Sequence, residues 1–521
     1  MWKISRSGTP NNPHRNEKEI ERFADADRSI GERLEWIREQ MIDNSDVAYH
    51  TFVAGPSVDC ALIYLRGMVD LNMLQEDVLK VLLRLDAPDA AHFRKRLFDL
   101  KQLSVTGYRL IPTLKEGISS VLDCNAILLV DNEQSIIELP LEKHENRAIE
   151  EPPNEAGIRG PREAFIENVD INITLIRKRL KTAKFKTETT RIGSLTQTKV
   201  VIAYIEGICK KDLLEEVRSR LSRIEIDGIL GSSYIEEYLD DTPFSPFPQL
   251  QYTERPDITA ASLLEGRVAI LVDGTPIVLI APVTLMMLLQ SSEDYYQRFI
   301  ASTWIRLIRY FFLIVSLLLP STYIAITTFH PEMIPSKLLV TVMSSREIVP
   351  FPALVEAFIM EVSFEALREA AIRIPKSIGQ AVSIIGALII GTAAVEAGIV
   401  SAAMVIIVSL TGIASFISPH YDLGLAFRFL RFPIMIMAGF FGLYGITCGL
   451  FLLFLHLINL RSFGTPYLSP FSPLAASDMK DTLIRAPWWL MNKRPLPSGA
   501  NKHRQHKYGR KWSYSKEDSE E

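Results

Sequence analysis

The chain is 521 residues long, carries a formal net charge of −4 and contains four cysteines. A balance this close to neutral supplies no bulk attraction to nucleic acid. Cys60, Cys124, Cys209 and Cys448 form no CxxC pair and show no metal-ligand spacing, which leaves small buried thiols in a reducing compartment. The averages conceal a division: charged and apolar residues alternate up to about Ser302, long apolar runs dominate from Tyr310 to Leu460, and the end is polar and basic.

The opening, MWKISRSGTPNNPHRNEKEIERF, lacks the apolar stretch of a secretory signal. Residues 1–19 therefore read as a disordered N-terminus, and the region after them as cytoplasmic. An internal repeat follows. ALIYLRGMVDLNMLQEDVL from Ala61 parallels VIAYIEGICKKDLLEEVRSRL from Val201, with Tyr64 on Tyr204, Gly67 on Gly207, Asn72 on Asp212 and Leu74 on Leu214. Each copy predicts a buried strand, a glycine turn and an amphipathic helix capped by Asn or Asp. AILLVDNEQSIIELPL from Ala126 and VAILVDGTPIVLIAP from Val268 predict hairpins turning at Asp131-Asn132 and Asp273-Gly274.

Strand, helix and hairpin thus occur twice, which gives two related α/β subdomains at 20–150 and 160–285, joined by EPPNEAGIRGP. Two such lobes either enclose a ligand cleft or serve assembly. No Walker loop, dinucleotide fingerprint, HExxH or nucleophile elbow is present, so the chain reads as non-enzymatic, with no cofactor and no metal. The basic stretch IRKRLKTAKFK from Ile176 reads as a solvated helix end and linker, with contact to anionic lipid or a partner as the alternative.

An α-helical membrane domain is predicted over 300–462. Tyr310 to Phe329 is almost wholly apolar and close to the ~20 residues a bilayer needs. Arg298, Arg306 and Arg309 flank its N-terminal side in the positive-inside sense. Ile378 to Ile417 is long enough for two spans, with Gly379, Gly386, Gly391, Ala393 and Ala394 permitting close helix packing, and Ile434 to Ile458 forms another. Arg461 and the basic tail, 463–521, argue for a cytoplasmic C-terminus. Two cytoplasmic ends require an even number of crossings. Four spans, near 308–329, 378–396, 399–417 and 433–459, satisfy this, as does merging the middle run into one helix and letting 351–372 cross.

The segment PFPALVEAFIMEVSFEALREAAIRIPKSIGQ, from Pro350, is apolar yet rich in charge. On a helical wheel Arg368, Glu361, Glu365, Glu369 and Arg373 fall within one arc of about 140°, with Met360, Phe364, Leu367, Ala370, Ala371 and Ile374 on the other side. One ionised side chain at mid-bilayer costs about 2.5–3.5 kcal/mol on insertion scales, so five facing lipid are excluded. Either the helix lies in the interface with its charges in water, or several copies assemble so that the carboxylates ring an aqueous path favouring cations. Glu356 lies off the arc and requires a partner or a wet cavity, and Glu396 sits within or at the end of a span. These seven residues are the candidates for pore lining or gating.

The stretches REAFIENVDINITLIRKRLK, KVVIAYIEG, TERPDITAASLLEGRVAILVDGTP, PFPALVEAFIMEVSFEALREAAIRIP and RSFGTPYLSPFSP resemble the A subunit of spore germinant receptors, the GerA family, over about Asn44 to Pro473. The resemblance implies a multi-pass protein of the endospore inner membrane beside a transporter-like B subunit and a lipoprotein C subunit. Such receptors sense nutrients and trigger germination, which begins with release of monovalent cations. The resemblance also implies that nutrient binds mainly to the B subunit and that A subunits form a homo-oligomer around a channel. A non-conducting scaffold of the same complex is the alternative.

Overall fold

A computed structural model describes residues 29–142, 152, 155, 157–373, 391–475, 478–491 and 493–494. The expected N-terminal disorder, Gly379, Gly386, most of the span expected at 378–396 and the basic tail beyond 494 lie outside the described residues.

The repeat seen in sequence is a repeat of whole sheets. Strands β1 (Val47–Ala54), β2 (Val58–Leu65), β3 (Arg109–Ile111), β4 (Ala126–Val130) and β5 (Ile136–Leu139) form one sheet in the order β1-β2-β4-β5-β3. Strands β6 (Phe185–Ile192), β7 (Thr198–Ile205), β8 (Gln251–Thr253), β9 (Val268–Val272) and β10 (Val278–Ala281) form the second in the matching order β6-β7-β9-β10-β8. Every pairing is antiparallel. Gly67 (φ 81°) and Gly207 (φ 76°) turn the chain after equivalent strands, and Asn132 (φ 56°) and Gly274 (φ 86°) turn the two hairpins. The expected caps differ: Asp70, not Asn72, accepts from the Asn72 and Met73 amides, and Asp212 lies inside the first turn of its helix.

Helices α1 (Ile30–Gln40), α2 (Ala90–Phe98) and α3 (Leu114–Leu122) accompany the first sheet; α4 (Val169–Arg177), α5 (Lys211–Ser222), α6 (Ser232–Leu239) and α7 (Pro256–Leu264) accompany the second. Successive strand side chains point to opposite faces, so β7 sends Val200 and Ile202 to α5 and α6 while Val201 and Ala203 meet α4 and α7. The lobes are tied together by Arg177, which is fully buried and donates Nε to Asp46 Oδ2 (3.0 Å) and Nη2 to Asp46 Oδ1 (2.8 Å) and Asn44 Oδ1 (3.0 Å). Lys186 Nζ donates to the Ile42 carbonyl (2.7 Å). The basic stretch from Ile176 is therefore no solvated linker: two of its cations are spent on joining the lobes, because a buried cation is stable only with its donors satisfied.

The membrane half contains α8 (Phe299–Phe329), α9 (Ser336–Arg346), α10 (Ala353–Arg373), α11 (Ala402–Ser415) and α12 (Tyr421–Asn459). Among the described residues, α8 and α12 are long and apolar enough to cross a bilayer, so the structure supplies two such helices where four spans are expected. α12 is not one rod. At Gly442 the backbone is non-helical (φ 61°, ψ −141°), and the Phe247 ring lies 5.8 Å from that of Phe427 and 6.0 Å from that of His456. A straight helix at 1.5 Å per residue would hold those two residues about 44 Å apart. The chain therefore doubles back at Gly442, with Gly449 returning to Ile434 and the turn resting on Phe329 at the end of α8. Both feet of the hairpin reach the second lobe: His420 lies 3.5 Å from Gln251 and His456 bonds Ser245 (2.8 Å).

The Gly442 backbone lies near a region that essentially glycine alone occupies, and a Cβ there would lie 3.1 Å from Phe329. Gly442→Val is therefore expected to destabilise the protein by about 1–3 kcal/mol, read as a lowered thermal midpoint of the detergent-purified chain; an unchanged midpoint contradicts the tight turn.

Candidate functional site

The acidic helix α10 is held between α11 and the first arm of α12 (421–441). A Cβ on Gly439 would touch Leu354 Cδ2 at 2.6 Å, Glu361 pairs with Arg431, and Glu365 pairs with Arg428 at 2.8 Å. These contacts step in opposite directions along the two helices, so α10 and this arm are antiparallel. Against α11, Glu356 meets Ser401, Phe364 meets Gly412 and Arg368 meets Ser415, a parallel register. α10 thus runs its whole length beside the other membrane helices, from the Gly442 end towards the lobes.

Arg431 is the centre of this packing. Pro320 within α8 has no N–H, so the Ser316 carbonyl four residues earlier loses its helical donor. Arg431 Nε supplies one at 2.7 Å, while its Nη1 donates to Glu361 Oε2. Both side chains are almost wholly buried, at 2 % and 3 % exposure. One guanidinium therefore joins α8, α10 and α12. Nearer the lobes, Glu365 Oε2 accepts from Arg368 Nη1 and Oε1 from Arg428 Nη1, both at 2.8 Å, and Arg368 Nη2 reaches Ser415 Oγ at 3.0 Å. At the other end Glu356 is fully buried; its Oε2 accepts from Ser401 N (3.0 Å) and Oγ (2.9 Å), and Arg346 Nε lies 3.3 Å from its Oε1. That carboxylate sits at the N-terminus of α11, where the helix dipole favours negative charge.

The expected charged arc does not coincide with the face α10 exposes. Glu361 and Arg368 turn into the protein, Glu365 is half-buried, and Glu369 with Arg373 forms an exposed i,i+4 pair (Nε–Oε1 2.8 Å). The exposed residues are Val355, Ile359, Val362, Ala366, Glu369 and Arg373, alternately four and three apart, a stripe rotated by about 70° from the middle of the arc. Glu396 is exposed at the end of the helical stretch 391–396.

Arg428 and Arg431 were not among the sequence candidates because the last span was expected to start at 433. Their i,i+3 spacing beside apolar residues, complementary to Glu361 and Glu365 on an antiparallel neighbour, was the available signal. A second cluster, at the junction with the lobes, was also missed. Arg306 and Arg309, expected as lipid-flanking charges, are buried. Asp294 accepts from Arg306 Nε (3.1 Å) and from Arg309 Nη1 (3.0 Å) and Nη2 (3.1 Å). Arg306 Nη1 also donates to Asp481 Oδ1 (3.1 Å), and the Tyr295 hydroxyl to Asp481 Oδ2 (2.8 Å).

Taken together, the repeated antiparallel lobes and the charge-linked apolar helices define a membrane protein with a two-lobed α/β head. The family described as Bacillus/Clostridium GerA spore germination protein matches residues 35–496, and the chain belongs to it. Relatives from Bacillus subtilis (strain 168) include "Spore germination protein KA", 43% identical over 90% of this chain and 86% of its own length, and "Spore germination protein A1", 38% identical over 88% and 94%. "Uncharacterized membrane protein YfkQ" of the same organism is 46% identical over 87% and 88%. The crystal structure of the N-terminal domain of the A subunit of the Bacillus megaterium spore germinant receptor GerK3 aligns at 31% identity and a TM-score of 0.38, covering 49% of this chain and 94% of that one.

Two measurements test the network. Arg431→Met leaves Glu361 buried and unpaired and should cost about 3–5 kcal/mol, while adding Glu361→Gln should recover part of that loss; additive losses in thermal midpoint would refute the pairing. At the lobe face, burial first, then Asp422 and Asp240, push the Glu236 carboxyl up to about 7. Between the ordinary carboxylate range and that value the folded chain holds a proton that the unfolded chain lacks, so this stabilisation is present at low pH and lost as pH rises through 7. The thermal midpoint should fall between about pH 4.5 and 7 and level off above, and Glu236→Gln should flatten the fall.

Proposed function

We propose that this chain is the A subunit of a nutrient receptor in the inner membrane of the bacterial endospore, working with a transporter-like B subunit and a lipoprotein C subunit. It has no catalytic role. Its termini lie on the cytoplasmic side, the lobes at 20–150 and 160–285 form its head, and 300–462 its membrane domain. Copies of the chain surround a cation path that opens when the complex binds nutrient.

The observation that carries this reading is the stripe on α10. The inner face of that helix is held by Arg431 and Arg428, while Val355, Ile359, Val362 and Ala366 are left exposed in a helical seam ending at Glu369 and Arg373. An apolar seam with this alternating spacing suits helix-on-helix packing around a shared axis. Around a central axis the four apolar residues form a dewetting constriction, and Glu369 forms an acidic ring at its lobe-side mouth, which favours cations. α10 then crosses the bilayer. Glu361, Glu365, Arg368 and Glu356 act behind it, holding the seam in position, and Glu396 faces water at the opposite side.

Purified chain in liposomes, with no nutrient-bound complex to open it, should pass potassium or rubidium only at a low basal rate. Ile359→Ala should raise the flux by widening the constriction, and Glu369→Gln should lower cation selectivity. A second reading, a non-conducting scaffold, is favoured by the inward turn of Glu361 and Arg368, which marks them as structural. Full reconstitution with no flux from either the native chain or Ile359→Ala would establish the scaffold instead.

A further inference from the structure

The charge network of the membrane helices does not balance. Arg431, Arg428 and Arg368 face two carboxylates, Glu361 and Glu365, and Glu365 is shared by two guanidiniums. An uncompensated charge away from water is strongly unfavourable. The excess falls at Arg368: its side chain is 7 % exposed, and its Nε is buried with no hydrogen-bond partner among the described residues. Both Arg368 and Arg428 line a cavity of about 830 Å³ between the lobe-side ends of α10 and α11 and the second lobe. Ser415 and Tyr421 add hydroxyls, and the Phe364 and Phe416 rings stand 5.2 and 4.8 Å from the Arg368 guanidinium, cation–π contacts that ease its charge without neutralising it.

We propose that this cavity binds a phosphate-ester anion between the guanidiniums of Arg368 and Arg428, carried by a membrane lipid or free in solution. Planar guanidiniums match phosphate oxygens in geometry and charge. Glu155 also lines the cavity, but its Oε2 accepts from Thr253 Oγ1 (2.6 Å) and the Glu254 amide (3.1 Å), and among the described residues it makes no ion pair with Arg368 or Arg428. A lipid source has a track for its acyl chains, because Ile406, Leu410, Ile413 and Phe416 lie exposed along α11 up to the cavity mouth. The anion would complete the contact between the second lobe and the membrane helices.

Native mass spectrometry of the purified full chain in detergent, titrated with phosphatidylglycerol or phosphatidylcholine, tests this. Phosphatidylglycerol should be retained about tenfold more tightly, and Arg368→Gln or Arg428→Gln should each remove roughly that factor. The thermal midpoint of the unmodified chain should rise with phosphatidylglycerol and not with phosphatidylcholine, a readout that needs no variant. Displacement by millimolar inorganic phosphate would support the anion site with a soluble ligand as its source. Equal retention of both lipids, unchanged by either substitution and with no response to inorganic phosphate, would overturn the proposal. Because bound ligand is measured and not ion flux, the result stands apart from the outcome of the liposome experiment.

Discussion

The packing of the membrane helices depends on one guanidinium. Arg431 lies in an apolar setting where an unpaired charge is not tolerated, and it finds both an anion, Glu361, and a carbonyl that the proline of α8 has stripped of its helical donor. Removing any partner leaves a polar atom buried without compensation. The pair is therefore better understood as specifying one register among three sliding apolar helices than as adding stability, since leucines in lipid provide little preference of their own. Small residues make the same register possible: Gly439 admits Leu354 and Gly412 admits Phe364.

A second constraint joins the membrane helices to the head. The core that contains Leu317 of α8 and Ile434 and Leu457 of α12 continues without a break into Phe247 and Val283 of the second lobe and Leu288 just after it. The segment after the hairpin, RSFGTPYLSPFSP, closes this joint: Ser462 Oγ donates to the Gln249 carbonyl (2.6 Å) and accepts from Val283 N (3.0 Å), and the buried Tyr467 donates its hydroxyl to the Pro248 carbonyl (2.9 Å). Asp294 and Asp481 clamp the foot of α8 beside it. A displacement of the second lobe would therefore be felt at once by α8 and by both feet of the hairpin, and through Arg431 by α10.

Local pattern determined a large part of this protein. The paired strands, the glycine turns at 67 and 207 and the hairpins at 131 and 273 were legible because alternation, buried runs and positive-φ residues are properties of neighbouring residues. The apolar course of α8 and the amphipathic character of α10 were legible for the same reason, and the long motifs sufficed to reveal the family. What the chain could not disclose alone was which face of α10 meets which neighbour. Arg428, Arg431, Asp294 and Asp481 lie between 12 and 186 residues from their partners, from Asp294 with Arg306 (12) through Arg431 with Glu361 (70) to Asp481 with Tyr295 (186). Only tertiary structure brings them together, so a charge that reads as facing water in sequence is turned inward once its counter-ion is found. The fold-back at Gly442 belongs to the same class: a single glycine inside an apolar run permits either a straight helix or a hairpin, and the packing of Phe427 and His456 on one phenylalanine decided it.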